Sequence, residues 1–427
     1  MSRIAVLTIG DELLNGDLPD SNTADIGRLL AGASYQVIES VTVGDDDEQI
    51  ATALQRLAGL YRVVIVTGGL GPTDDDRTAR AAARACGRPL QLNDRALAQI
   101  RERFRERNRP MHPRNEKQAL LPARATVLTN RLGTAPGFHL RSDSADLYFL
   151  PGVPSEMRGM LVDEVLPAIS RNLPEPTPMA RQILSVYGLA EPEVEERIVR
   201  HGLPSGVDLA FAVNFGMVEV KLFARGPEAA SLVDRGELQV RQALGDFVVG
   251  VGTETLAGNT ARLLLLSECT LALAESCTGG LIAELLTGQP GASGFLERAV
   301  VTYANSAKTA LLGVPAELLE QHGAVSADCA RAMARGVRER AATDIGLAVT
   351  GIAGPDGGNP EKPVGTVFIA LDSAGEERVE RFRFHGDRHQ IRLRSAHAAL
   401  DWLRRFAGGR VRGNSYILNP AQLIGKR

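Results

Sequence analysis

The sequence predicts an α/β protein in which two α/β domains with mostly parallel sheets are joined by a small α+β module. Three observations carry that expectation. Apolar runs at 3–9, 35–43, 63–67 and 147–150 alternate with helical stretches at about 22–33, 47–60, 76–86 and 94–107. Such alternation is the pattern of parallel strands covered on both faces. Proline-rich 173–178 then reads as a linker, and the α/β alternation returns from Leu256, with a strand at 345–349 and an amphipathic helix at about 388–406.

The expected domains are therefore 1–172, a module at 173–254, and 255–407, followed by a loosely packed tail at 408–427. The module carries strand patterns at 181–187 and 218–223 and helices near 191–200 and 228–244. At 427 residues the chain is long enough for roughly three domains of ~150 residues.

Composition excludes some function classes. The balance of 48 basic against 51 acidic residues gives −3, which does not suit a protein that coats nucleic acid. No run approaches the ~20 apolar residues of a membrane span, and a strand-like 4–9 follows the N-terminus without a leader pattern. Cysteines 86, 269, 277 and 329 show no paired spacing, so a reduced, cytoplasmic enzyme is expected. Only five of the 48 basic residues are lysines: 117, 221, 308, 362 and 426. Lysine, unlike arginine, can be tuned to lose its proton, so each survivor is a candidate for chemistry.

The strongest candidates lie in the last domain. The apolar run 270–274 stops at Glu275-Ser276-Cys277-Thr278-Gly279-Gly280, and a helical pattern starts at Leu281. A serine there is expected at a helix N-terminus, where unpaired N–H groups stabilise negative charge. Lys308 follows Tyr303 across a strand-to-helix turn, and a neutral lysine takes a proton from a serine hydroxyl. Serine, lysine, tyrosine and an amide-rich turn are the parts of a serine amidohydrolase. A plain N-capping role is the alternative for Ser276.

Two further loops stand out, 290–293 with Ser293 ahead of a strand and 350–358 with Thr350 and Gly351 after one; the latter and the Ser276 loop both follow strands and are placed to share a site. Ser293 is a rival nucleophile. Cys277 is a second rival, but no histidine stands in these loops and an inert thiol is expected. Arg388 or Arg392 is a candidate phosphate holder, against the simpler reading of surface arginines.

In the first domain, polar loops follow three strands: Gly10-Asp11-Glu12, then Gly68-Gly69-Leu70-Gly71-Pro72-Thr73-Asp74-Asp75-Asp76, then 151–157 with Glu156. Glycine amides beside carboxylates suit a phosphate held through a divalent cation. A charged helix start is the alternative for 74–76. There is no Walker A, no GxGxxG and no Nudix glutamate box. The seven histidines (112, 139, 201, 322, 385, 389, 397) form no ligand set.

The motifs AESCTGG (274–280), PGAS (290–293), VTYANSAK (301–308), AVTGIAGP (348–355) and PVGTV (363–367) resemble the C-terminal nicotinamide-nucleotide amidohydrolase domain of the CinA family over about 255–406. The resemblance implies hydrolysis of nicotinamide mononucleotide to nicotinate mononucleotide and ammonia by a Ser/Lys mechanism without cofactor. It implies Ser276, Lys308 and Tyr303 as catalytic residues, with Thr278, Gly279, Ser293, Thr350, Gly351 and Arg388 at the substrate. Segment 1–170 resembles the CinA N-terminal domain, including RNEKQA (114–119), GTAPG (133–137) and a molybdopterin-binding type loop at 68–78 with Leu70 in place of threonine.

That second resemblance implies splitting of ADP-ribose to AMP and ribose 5-phosphate with a divalent metal (Mg, Mn or Co). Asp75, Asp76, Glu12 and Glu156 would hold the metal. Gly69, Gly71 and Thr73 would hold phosphate, and Asn115 and Lys117 the rest of the substrate. The middle segment is similar to the KH-like module of long CinA proteins but lacks a basic GXXG loop, so a spacer or dimerisation role is expected. The expected partners are the two nucleotides and a second copy in a homodimer, with no membrane and no nucleic acid. The rival functions are a molybdopterin-binding protein with a regulatory C-terminal domain and a competence-associated adaptor.

Overall fold

The computed structural model describes residues 4–142, 144–214 and 216–413. They form two compact units: the residues up to Ala180 with Arg225–Ala229, and the remainder.

The first unit is built on β1 (Ile4–Ile9), β2 (Val37–Val43), β3 (Val63–Thr67), β4 (Thr126–Leu128), β5 (Gly137–Arg141) and β6 (Asp146–Leu150), in the order β2-β1-β3-β6-β5-β4. The β2, β1, β3 and β6 strands run parallel, and β5 and β4 add antiparallel pairs. The period-2 alternation of a strand sends Ala5, Leu7, Val64 and Val66 to one face and Ile4, Val6, Val63 and Ile65 to the other. The first set packs with α1 (Asp47–Leu60), α2 (Thr78–Ala85) and α3 (Asp94–Glu106). The second packs with the helix Ser21–Gly32 and the helical stretch from Pro154 to Asn172.

Both faces are thus covered, as the near-continuous apolar runs require. The expected helix at 76–86 starts later, at Thr78, because the Asp76 carboxylate is bonded back into its own loop. The short strands β4 and β5 carry no sequence pattern long enough to read.

The second unit holds two sheets. β7 (Met179–Tyr187), β8 (Val207–Asn214), β9 (Met217–Arg225) and β10 (Val248–Val251) lie in the order β8-β9-β7-β10, with helices α4 (Glu191–His201) and α5 (Ala229–Leu244). The other sheet has β11 (Leu271–Glu275), β12 (Leu296–Val301), β13 (Ile345–Gly351), β14 (Thr366–Ser373) and β15 (Glu376–Arg383) in the order β12-β11-β13-β14-β15. Here β12, β11 and β13 are parallel, and β14 and β15 extend the sheet antiparallel.

Leu271, Leu273, Leu347 and Val349 face α6 (Leu256–Leu266), α7 (Leu281–Thr287) and the C-terminal helix Arg388–Gly413. Ala272, Ala274 and Ala348 face α8 (Asn305–Leu312), the helix Ala316–His322 and α9 (Ala327–Ala341). The first of these cores also takes in Val249 of β10. Asn259 Nδ2 donates to Val249 O (2.9 Å) and Arg404 Nη2 to Asp246 O (2.6 Å), tying the four-stranded module to this layer.

The last helix corrects the expected tail. It runs on to Gly413, with Gly408 and Val411 buried; residues 414–427, including Lys426, lie outside the described residues. No helix among the described residues is long and apolar enough to cross a membrane.

Candidate functional site

In the second unit the site is set by where β11 ends. Side chains alternate along the strand, so Glu275 points to the α7 side with Leu271 and Leu273. Ser276 then continues the Ala272–Ala274 side, toward α8. Ser276 N–H donates to Val349 O (3.0 Å), which keeps the residue in the sheet rather than on the helix. The chain reverses through Gly279 and Gly280, whose φ values of 62° and 93° suit glycine.

The expected placement of Ser276 at a free helix N-terminus is therefore corrected. The buried Glu275 carboxylate occupies that position. It accepts the N–H groups of Gly280 (2.9 Å), Ile282 (3.2 Å) and Ala283 (2.9 Å). A carboxylate at a helix start satisfies orphan donors and the dipole together. The Gly279 N–H turns back to Ser276 O (3.1 Å). Of the amides after Ser276, those of Cys277 and Thr278 remain beside it, resting against the Cys277 sulfur.

Lys308 lies in the first turn of α8, 1% exposed. Its Nζ donates to Thr302 O (2.8 Å) and Tyr303 O (3.2 Å) and lies 3.2 Å from Ser276 Oγ. Burial pushes its ammonium below the ordinary 10.5, against a smaller opposite effect of the Cys329 and Cys277 thiols. A neutral amine has two N–H bonds and one lone pair. As the ammonium, Nζ donates to both carbonyls and to Ser276 Oγ; once deprotonated it would keep two N–H bonds for the carbonyls and turn its lone pair to the Ser276 hydroxyl. Burial raises the Cys277 thiol to about 12, so it stays protonated and is no nucleophile at neutral pH.

Around this dyad, Tyr303 is 62% exposed, and its hydroxyl accepts from Arg388 Nη2 (3.0 Å). Arg388 Nη1 donates to Gly354 O (2.5 Å), so its guanidinium bridges the loops after β12 and β13. Arg392 is not a free anion holder: it donates twice to Thr278 O (2.7 and 3.2 Å) and clamps the serine turn. Thr278 is fully buried. Thr350 stands beside Ser276 on the next strand and donates to Ala324 O (2.7 Å). A Cβ on Gly351 would come within 2.8 Å of Thr366 O, so the glycine serves strand packing.

Within one chain, Ser293 is not brought to the dyad. It precedes β12, and the parallel register Leu271↔Leu296 puts it at the amino edge of the sheet. Ser276 is at the carboxyl edge, roughly 20 Å away at ~3.3 Å per residue.

In the first unit, the carboxyl ends of β1, β3 and β6 adjoin, and their loops come together as expected. Gly68 is pressed so close to β1 that a Cβ would lie 2.2 Å from Ile9 O. A cleft of about 470 Å³ is lined by Glu12, Asp75, Asp76, Gly69, Asn22 and Asp45 among others.

Several expected ligands are already engaged. Asp76 accepts Gly71 N–H (2.7 Å), Thr73 N–H (2.8 Å) and the Thr73 hydroxyl, so these three residues satisfy one another within the loop. Glu156 stands apart, accepting Asn130 Nδ2 (2.7 Å) and packing on Gly133. Asn115 bonds Gln118 (3.4 Å). Lys117 donates to Thr73 O and lines a smaller cavity of about 180 Å³ with Leu70, Leu90 and Leu120, which shares Gly69 and Asp76 with the cleft.

Asp45 and Asn22 were not anticipated. Asp45 sits above its ordinary value through burial, reinforced by Asp11, Glu12 and Asp75, while the Asp11 amide it accepts acts the other way. Asn22 Nδ2 is fixed to Thr67 Oγ1 (3.0 Å) and Gly152 O (2.8 Å), and its buried Oδ1 has no partner. The signal for Asp45 was the acidic run after β2, which also reads as a helix start. Among the described residues no three His, Cys, Asp or Glu side chains form a ready metal cage.

Residues 253–407 match the CinA C-terminal domain family, and residues 5–171 match the probable molybdopterin binding domain family. A CinA-like protein of Syntrophotalea carbinolica is 58% identical over 406 residues, covering 95% of this chain and 98% of its own. A CinA-like protein of Geobacter sulfurreducens is 51% identical, covering 94% and 98%. Among solved structures, a CinA superfamily protein of Klebsiella pneumoniae is 36% identical, covers 37% of this chain and 99% of its own, and has a TM-score of 0.36. The chain belongs to the CinA family.

Proposed function

We propose that the second unit is an amidase that hydrolyses nicotinamide mononucleotide to nicotinate mononucleotide and ammonia. The observation that carries this is the buried Lys308 amine, held by two carbonyls and 3.2 Å from Ser276 Oγ. Ser276 Oγ attacks the carboxamide carbon while its proton passes to Lys308 Nζ. Lys308 returns the proton to the departing nitrogen, and ammonia leaves an acyl ester on Ser276. Water, deprotonated by Lys308, cleaves that ester and restores the hydroxyl. Tyr303 contributes its carbonyl to the lysine and its phenol, with Arg388, to the mouth.

Ammonia release from nicotinamide mononucleotide by wild type, Ser276→Ala and Lys308→Ala tests the reading. An inert wild type removes it, and full rate in either variant removes the dyad. A molybdopterin-binding or competence protein with a regulatory second unit predicts the inert result.

The acidic cleft of the first unit supports a second activity, cleavage of ADP-ribose to AMP and ribose 5-phosphate with a divalent metal. Mg²⁺ keeps several waters and binds through one or two carboxylates plus substrate phosphates. Crowded, partly buried Asp45 with Glu12 and Asp75, and the unpartnered Asn22 Oδ1, fit such an ion. Asp76 and Glu156 fit it less, being engaged elsewhere. The metal would neutralise pyrophosphate charge; Glu12, Asp45 and Asp75 would hold it, and Lys117 would meet the anion. AMP formation from ADP-ribose with Mg²⁺, Mn²⁺ or Co²⁺ tests this. No AMP with any of the three removes it.

A further inference from the structure

At the opposite edge of the second unit's sheet from Ser276, the turn between β14 and β15 and the last turns of the C-terminal helix line a cavity of about 470 Å³. Strand register fixes its place. Thr350, beside Ser276, pairs with Phe368, whereas Ser373, at the cavity, pairs with Ile345 at the start of β13. Five residues of β14 separate the two edges, roughly 17 Å at ~3.3 Å per residue. The cavity is therefore distinct from the dyad. Two of its lining residues, Gly409 and Arg410, also lie beyond residue 407, where the family match ends.

Three guanidinium groups line it, those of Arg378, Arg405 and Arg410, against one carboxylate, Glu376. Each guanidinium is held in place. Arg378 lies over the Trp402 ring at 4.0 Å and Arg410 over the Phe406 ring at 4.7 Å. Arg405 lies 5.3 Å from the Phe247 ring, and its Nε donates to Asp401 Oδ2 (2.7 Å). Stacking on a ring fixes the plane of a guanidinium and leaves the N–H groups on its edge free to donate.

Little in the chain neutralises these cations. Arg378 pairs with Glu380 (3.1 Å), but both side chains are about half exposed, and such surface pairs are weak. The Asp401 carboxylate is divided between Arg405 and Arg404, at 2.7 Å each. Arg410 has no carboxylate within ion-pairing distance among the described residues. Its Nη1 donates to Cys269 Sγ (3.6 Å), a weak acceptor. A guanidinium carries five N–H donors, so the cavity has donors to spare.

We propose that this cavity is a further ligand site of the second unit, one that takes a phosphoryl anion, either free phosphate or the phosphate of a small phosphomonoester. Guanidinium forks match phosphate oxygens in pairs and form charge-assisted bonds with them. An uncharged ligand of the same size gains nothing from three cations. The ring faces of Trp402 and Phe406 that could hold a base are already covered by Arg378 and Arg410. The proposal does not depend on the amidase reading.

Trp402 is the only tryptophan of the chain, so its emission reports on this cavity. The test titrates the full chain with AMP, inorganic phosphate and adenosine at constant ionic strength, reading Trp402 emission and calorimetric heat together. Wild type is compared with Arg410→Met, Arg410→Lys and Arg200→Met; Arg200, an exposed arginine of α4 paired with Glu196, controls for the loss of one positive charge. The proposal expects saturable binding of AMP or phosphate and none of adenosine. It expects affinity about tenfold weaker in Arg410→Met, the strength of one charge-assisted bond, largely kept in Arg410→Lys and unchanged in Arg200→Met. Tighter binding of AMP than of phosphate assigns the site to a phosphomonoester, and equal binding assigns it to free phosphate. Neither an emission change nor a heat that Arg410→Met removes would overturn the proposal, and so would an equal response to adenosine. Unchanged affinity in Arg410→Met also overturns it and leaves that arginine to the helix C-terminus.

Discussion

Replacing Lys308 by methionine keeps the length and apolar character of the stem and removes only the amine. Three contacts go with it: Thr302 O at 2.8 Å, Tyr303 O at 3.2 Å and Ser276 Oγ at 3.2 Å. A positioned base is worth about 10²–10⁴ in rate, so ammonia release falls by that factor, in kcat more than in KM. The effect on stability is smaller because two terms oppose. Each buried carbonyl left without its donor costs about 1–3 kcal/mol, while the variant no longer desolvates an amine.

The sign with pH is fixed by the direction of the shift. Native Lys308 loses its proton below the 10.5 of a free lysine, so between the two values the unfolded chain binds more protons. Wild-type stability relative to Lys308→Met therefore rises with pH through that window and is complete only above 10.5. It is lost as pH falls through the native value. The wild-type rate should rise with pH over a limb whose midpoint lies below 10.5. Urea unfolding of both proteins across a pH series, with ammonia assays alongside, measures all of this. A stability difference that does not change with pH, or a variant at near wild-type rate, would refute the reasoning.

Other outcomes follow from the same geometry. Ser293→Ala, at the amino edge of the sheet, should leave ammonia release within twofold or so of wild type, whereas Ser276→Ala should abolish it; the reverse pattern would exchange their roles. Glu275→Gln turns an NH₂ toward helix N–H donors that now meet a carboxylate. It should cost about 1–3 kcal/mol in thermal unfolding and slow the amidase by displacing Ser276. Asp45 titrates above its ordinary 3.8, so what it contributes to stability is present below 3.8 and lost as pH rises through its native value. Asp45→Asn should thus raise the melting temperature slightly near neutrality in chelator, and Mn²⁺ should stabilise the wild type more than the variant. Equal stabilisation by Mn²⁺ would remove Asp45 from the cation site.

Both α/β layers were legible because buried parallel strands must be apolar on both faces, and that leaves runs such as Ile4–Ile9 and Val63–Thr67 between amphipathic helices. The serine turn was legible too, since a glycine pair after an apolar strand has few other uses. The edge strands β4 and β5 were not, being too short for their pattern to stand out. The helix N-terminus at Leu281 misled for a physical reason. A sequence shows that four N–H groups need partners, but not that Glu275, on the other side of the strand from Ser276, supplies one.

Sequence by itself determined the fold class, the family, and the pairing of Ser276 with Lys308 as the chemistry to look for, because periodicity and residue type are local properties of the chain. Tertiary structure alone decided which candidates meet. Strand register is a pairing between distant segments. It carried Ser293 to the far edge of the sheet, set Thr350 beside Ser276, brought Asp45 to Glu12 and Asp75, and closed two carbonyls around the lysine amine. Burial, which depends on all of those pairings at once, is what lowers the proton affinity of the Lys308 amine beside Ser276.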